Sequence, residues 1–424
     1  MIKIYKYGEV APEEIFARAV PQVNVEAVVA DIIADVRKRG DKALFEYTEK
    51  FDKAKLETLA VSKEEIEEGA AAAGAEFLDV LTKAAENIRN FHKRQVRNSF
   101  VISEKPGVVI GQKIIPIAKA GLYVPGGTAA YPSTVLMDSI PAKLAGVEEL
   151  VMVTPPGPDG KLPAAILAAA KVAGVDKIFK VGGAQAIAAL AYGTESIPRV
   201  DKIVGPGNAF VAEAKKQVYG QVSIDMIAGP SEILVVADGK SDASYVAADL
   251  LSQAEHDKLA SAVLVTDSME LAENVAAEIE KQLPALIREE IARASIKNNG
   301  KIIVADDLWK AIDIANEIAP EHLELCMDSP FDYLDAVKNA GSIFMGRSCP
   351  EALGDYFAGP NHTLPTSGTA RFASPLSVDD FIKKTQFTYY TEAAFSKDAP
   401  YVARFAKEEG LTGHARSALI RTEK

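Results

Sequence analysis

Cysteine is scarce, long apolar runs are missing, and basic charge is the minority sign. Only Cys326 and Cys349 occur in 424 residues, with no CxxC, which excludes a disulfide scaffold and a cysteine-built zinc cluster. The most apolar stretches, 164–175 and 184–192, are Ala-rich and bounded by Gly or Pro. Both fall short of the roughly 20 residues that a membrane-spanning helix needs. Lys and Arg number 47 against 59 Asp and Glu, a net charge of -12, which disfavours a phosphate backbone or an anionic membrane as partner. The opening residues MIKIYKYGEVAPEE lack the basic, apolar and cleavage regions of a signal peptide, so a cytoplasmic location is expected. No GxGxxG occurs, so a standard dinucleotide fingerprint is absent too.

What is present is ordinary globular material, 48% apolar and 25% charged, in a chain long enough for two or more domains. The first hundred residues read as helical. A helix is predicted over 25–39, stopping at Gly40, and Ser62 with Glu65 forms a capping box ahead of a long pattern towards Gln95. Strands are predicted over 100–103 and 108–117. From Gly121 short β-branched runs (150–154, 177–181, 202–204, 233–237, 262–266, 301–305) alternate with helical stretches, which predicts βαβ units in two parallel sheets. A Gly/Pro/Ser/Thr-rich loop covers 358–375, and the remaining tail is too small to form a core alone.

Four of the five histidines sit in chemically suggestive settings. Gln253 and His256 are three residues apart, so a helix would present an amide oxygen and an imidazole to one cation; a solvated polar helix end is the alternative. Glu321 and His322 pair two proton-transfer groups, or form an exposed surface dipeptide. Asp355 and His362 lie in the Gly/Pro-rich loop, with helix capping and turn packing as the bland roles. His414 lies in the tail, and His92, beside Lys93 and Arg94 in an amphipathic helix, reads as a surface residue. Glycine turns at 121–127, 182–185, 205–208 and 229–232 offer backbone N–H groups to a carboxylate or pyrophosphate, or serve only as tight βα turns. On residues alone, a zinc hydrolase or a two-lobed binding protein also fits.

The ordered motifs GLYVPGG, GGAQAIAALAYGT, KIVGPGN, DMIAGPSEILV, DLLSQAEHD, APEHLEL, EALGDYFAGPNHTLPTSGTARF and EGLTGHAR, spanning 121–416, resemble the histidinol dehydrogenase family. That resemblance implies NAD-linked, four-electron oxidation of L-histidinol through L-histidinaldehyde to L-histidine, in a homodimer with one zinc ion per subunit. By motif position, Gln253, His256, Asp355 and His414 match zinc ligands, His414 reaching across from the other subunit. Glu321 and His322 match the acid/base pair. Ser231, Glu409 and His322, with the zinc ligands, match substrate contacts, and Tyr123, Gln185 and Asn208 match NAD contacts. The implied fold is α/β: two Rossmann-like parallel-sheet domains without GxGxxG, a helical N-terminal segment and a small tail domain exchanged across the dimer. The expected division is an N-terminal segment 1–24 packing with the tail, a first α/β domain of 25–122 plus 233–375, a second of 123–232, and the tail 376–424.

Overall fold

The computed structural model describes residues 2–18, 24–126 and 130–423; Gly127 of the first glycine turn lies outside them. Its strands are β1 (Lys3–Lys6), β2 (Phe100–Ile102), β3 (Val108–Pro116), β4 (Lys119–Tyr123), β5 (Glu149–Thr154), β6 (Lys177–Lys180) and β7 (Lys202–Val204). They continue with β8 (Ser223–Ile224), β9 (Glu232–Ala237), β10 (Ser261–Thr266), β11 (Lys301–Val304), β12 (His322–Cys326), β13 (Ser342–Met345) and β14 (Ile382–Tyr390). The chain divides into two units, Met1–Gln95 with Ile117–Phe381, and Val96–Pro116 with Ile382–Lys424.

The first unit holds two parallel sheets. One has five strands in the order β6-β5-β4-β7-β8, the other six in the order β1-β11-β10-β9-β12-β13. The five-stranded sheet runs outward in both directions from β4, and the six-stranded sheet does so from β9 with β1 added at one edge, as doubly wound sheets do. Strands buried on both faces need unbroken apolar sequence rather than alternation, and β9 is buried at all six positions. In such sheets a ligand crevice opens beyond the carboxyl ends of the strands where the order reverses. In the five-stranded sheet that point lies between β4 and β7. In the six-stranded sheet it lies between β9 and β12, and there ion pairs close it. The Arg347 guanidinium donates to both oxygens of Asp238 at 2.6 Å and also pairs with Asp328.

The sequence-based division needs three corrections. The described part of segment 1–24 belongs with the first unit: β1 pairs in parallel with β11 and forms an edge of the six-stranded sheet. The helices Glu26–Arg39 and Asp41–Asp52 pack against Gly183–Tyr192, and Lys63–Ala72 and Ala75–His92 pack against Ala164–Ala173. These N-terminal helices therefore cover the five-stranded sheet, not the six-stranded one. Finally, 96–116 leaves the α/β lobes, because β3 pairs antiparallel with β14, register Gln112 opposite Gln386.

Two local readings also change. The pattern towards Gln95 is two helices, since Gly74 at φ 86° breaks it; Ser62 does cap the first by accepting from the Glu65 N–H at 3.1 Å. His92 is buried, not superficial. It falls on the inward stripe Leu81, Ala85, Ile88, His92 of its helix, and its Nδ1 lies 2.7 Å from Gln95 Oε1. The Lys93–Gln95 turn carries the neighbouring charges outward. Among the described residues no helix is long and apolar enough to cross a membrane.

The second unit pairs the sheet β2-β3-β14 with helices Glu392–Glu408 and Thr412–Leu419. Its core is small, Ala403, Ala406 and Ala415 with Leu419 against them, while Tyr401 and Phe405 remain exposed.

Candidate active site

A cavity of about 570 Å³ opens in the first unit, within the range of small-molecule sites. One wall comes from the crevice of the five-stranded sheet: Pro125 and Gly126 after β4, and Gly205, Pro206, Gly207 and Asn208 after β7. The other comes from the amino ends of β9 and β12: Ser231, Glu321 and His322, with Gln253, His256 and Asp355. One sheet thus offers its carboxyl edge and the other its amino edge to one space.

His322 begins β12 and is buried. Its Nδ1 lies 2.9 Å from the carbonyl oxygen of Glu232. A carbonyl only accepts, so Nδ1 carries the hydrogen and Nε2 is the basic nitrogen. Nε2 has no hydrogen-bond partner and lies 3.4 Å from Asp355 Oδ1. Burial opposes the charged imidazole, but the Glu321 and Asp355 carboxylates outweigh it and push His322 up to about 10. Glu321 accepts the Glu232 N–H at 2.9 Å, and burial pushes its carboxyl up to about 7 against the pull of His322. Asp355 resists its own burial, because contact with His322 holds it below the usual carboxylate range. Arg18 braces this pair from behind: it pairs with Glu232 and donates to the carbonyls of Ile318 and Ala319, just before Glu321.

The helix Ala243–Ala254 ends before His256, which sits in the following turn with its N–H on the Gln253 carbonyl at 3.2 Å. Sequence spacing expects both on one helix face; instead one comes from the last turn and one from just beyond it. Both line the cavity. Burial lowers His256 from its ordinary value, which keeps a neutral ring nitrogen available. The buried Gln253 Oε1 has no partner, while Nε2 faces His322 Nδ1 at 3.4 Å. An unpaired buried amide oxygen, a neutral imidazole and an anionic carboxylate are a donor set that suits zinc. A second grouping shares Asp355: ligand atoms of His322, Glu351 and Asp355 lie within 4.8 Å of one another. Burial pushes Glu351 up to about 8 and it already accepts from Ser252 Oγ at 2.9 Å, so it suits a protonated neighbour of Asp355 better than a ligand.

Asn208 caps the helix Ala209–Val218 through Oδ1, accepting from Phe210 and Val211 N–H groups, which leaves its Nδ2 to donate. Tyr123 and Gln185 are buried beside that crevice and are not among the lining residues; the Tyr123 hydroxyl accepts from Gly183 N–H at 3.1 Å. Glu409 and His414 belong to the second unit, where both are exposed. Sequence reasoning undervalued His362. It is half-buried, lines the cavity, and its Nδ1 and Nε2 meet the Asp355 carbonyl at 3.0 Å and Thr134 Oγ1 at 3.3 Å. The Asn361 amide donates to the Met137 carbonyl at 2.7 Å, so this segment is pinned along the helix Pro132–Ala145. Glu232 and Glu351 lie inside the DMIAGPSEILV and EALGDYF motifs, which signalled no role for them, and Arg18 gave no sequence signal.

The sequence model of the histidinol dehydrogenase family matches residues 17–422. Histidinol dehydrogenase of Clostridium acetobutylicum is 56% identical over 94% of this chain and 93% of its own length. That of Geobacillus kaustophilus is 56% identical over 93% of each. The crystal structure of histidinol dehydrogenase from Elizabethkingia anophelis superposes with a TM-score of 0.95 at 39% identity, covering 100% of this chain and 98% of that one. Family profile, full-length identity and fold agree: the chain belongs to the histidinol dehydrogenase family.

Proposed function

We propose that this cavity oxidises L-histidinol through L-histidinaldehyde to L-histidine, with Glu321 and His322 as the acid/base pair and two NAD reduced per substrate. The NAD-dependent histidinol oxidation of histidine biosynthesis is the family's reaction; the residue roles are our assignment. The observation that carries them is the His322 Nδ1–H held on the Glu232 carbonyl, which leaves Nε2 as the nitrogen that exchanges its proton in the cavity Glu321 also lines and that acts as base in the deprotonated ring.

His322 Nε2 takes the hydroxyl proton while the carbinol carbon gives hydride to the first NAD, leaving the aldehyde. Glu321 then removes a proton from water as its oxygen adds to the aldehyde carbon, and His322 returns its proton to the former carbonyl oxygen, giving the hydrate. His322 takes a hydroxyl proton from that hydrate while the second hydride leaves to a fresh NAD, giving the carboxylic acid, which loses its remaining proton to solvent as the carboxylate. Gln253, His256 and Asp355 would hold zinc, with His414 of the partner subunit as fourth protein ligand. That ion would supply a Lewis-acid anchor for the imidazole and amine of histidinol. Ser231 and the partner subunit's Glu409 complete the substrate contacts, and Tyr123, Gln185 and Asn208 the dinucleotide contacts. The β4/β7 crevice supports that last assignment, because Asn208 and three glycines, Gly126, Gly205 and Gly207, follow its strands without any GxGxxG. Exchange of the tail across a homodimer is supported by the second unit's small core and exposed Tyr401 and Phe405. A cytoplasmic location belongs to the same reading.

Replacing each acid/base residue tests the assignment. His322→Ala is expected to lower kcat for histidinol by about 10²–10⁴. Glu321→Gln should slow oxidation of added histidinaldehyde more than the first NADH burst from histidinol. Near-normal turnover by His322→Ala would remove its role as base.

A further inference from the structure

Beneath the 205–208 turn lies a group of buried charges that the chemistry above does not use. Lys215 is among the largest fully buried side chains of the described residues, and the one charged side chain in that group. It sits in the helix Ala209–Val218, two turns beyond the cap residue Asn208, and folds back under the turn. Its Nζ donates to the Gly205 carbonyl at 3.0 Å and pairs with Asp225. Asp225 in turn accepts the Gly205 N–H at 2.8 Å and the Met226 N–H at 2.6 Å. Both polar groups of the Gly205 peptide links are therefore held by one ion pair, and Gly205 itself stands at φ 112°. Asp138 completes the group: it accepts from Thr363 Oγ1 at 2.9 Å, and its other oxygen would lie 3.1 Å from a Cβ on Gly205.

An apolar side chain would fill the Lys215 position at lower desolvation cost if the site only needed packing. A buried ammonium aimed at one backbone carbonyl instead fixes the position of that carbonyl. We infer that Lys215 and Asp225 are positioning residues for the dinucleotide, clamping the 205–208 turn so that Asn208 and its neighbouring N–H groups meet NAD in a fixed geometry. This rests on the reading that the turn contacts NAD. The pair touches none of the proposed zinc or acid/base residues, so its influence should fall on NAD and spare histidinol.

The test compares Lys215→Met, Lys215→Met/Asp225→Asn and Asn208→Ser in the zinc-loaded enzyme. KM for NAD, KM for histidinol, zinc content and Tm are measured for each. Lys215→Met leaves Asp225 buried and unpaired, so Tm should fall and KM for NAD should rise at least about tenfold, with KM for histidinol within about twofold and zinc content unchanged. The double variant removes the unpaired charge, so Tm should recover while KM for NAD stays raised, because the Gly205 carbonyl still lacks its donor. If Lys215→Met does not fold, the double variant decides. A folded variant with wild-type KM for NAD, or with both KM values raised in parallel, overturns the inference. Asn208→Ser keeps a capping oxygen and removes the amide donor. If it alone raises KM for NAD, the turn contacts NAD and only the clamp fails; if it leaves KM for NAD unchanged, the underlying reading fails with it.

Discussion

Cys326 shows how a strand separates residues that are close in sequence. It stands four positions after His322, but β12 is extended, so the two are about 13 Å apart along it. Its thiol is buried, and burial pushes it up to about 11, far from a ready thiolate. Cys326→Ser and Cys349→Ser should each still yield two NADH per histidinol. Loss of only the second oxidation in both would replace the hydrate route with a thiohemiacetal one. Asp138 predicts a pH dependence of stability. Burial, with Asp225 adding to it and Thr363 and Lys215 opposing, pushes its carboxyl up to about 8. In the unfolded chain it titrates near ~3.9. Between those values the native state keeps a proton that the unfolded state has released, so this group's contribution to stability falls as pH rises, until the native group ionises near 8. Asp138→Asn should flatten that slope, read as urea midpoints at pH 5 and pH 8. An unchanged slope would place the proton elsewhere. At this scale Glu321, His322, Gln253, His256 and Asp355 were legible because their motifs are contiguous. His92 and His362 were not, because burial depends on which face of a helix or loop finds a partner.

Among elements, the β7-to-helix turn binds the site to the five-stranded sheet. The Gly205 backbone lies against the Tyr123 carbonyl at the end of β4, where a Cβ would overlap that oxygen. Gly205→Ala must also hold an alanine at φ 112°, a region that L side chains rarely adopt. It should displace the turn and raise KM for NAD by about tenfold or more, equivalent to about 1.4 kcal/mol of binding. A KM for NAD matching wild type would show that the turn's position is unimportant. The alternation of apolar runs and Ala-rich helices made β5 to β7 and β9 to β11 readable from sequence. β12 and β13 were not; in β12 the APEHLEL segment mixes ionisable residues into a buried strand. Pairing of β3 with β14 joins positions some 270 residues apart, which no local pattern encodes.

At the scale of the whole molecule, the account requires the second unit to serve a neighbour's cavity. Mixed dimers of His322→Ala and His414→Ala subunits test this. If His414 acts in trans, each mixed dimer has one intact cavity, and random mixing should restore about a quarter of wild-type activity. Action in cis leaves every cavity damaged and restores none. The proposed exchange has no signature in composition beyond a tail too small to stand alone. The central claim concerns the whole reaction, and it is tested most directly by NADH formed per L-histidinol consumed. The assay is run with NAD in excess, before chelation, after it, and after zinc is restored. The account predicts two NADH per histidinol, lost on chelation and regained with zinc. One NADH per histidinol, or activity indifferent to metal removal, would contradict it.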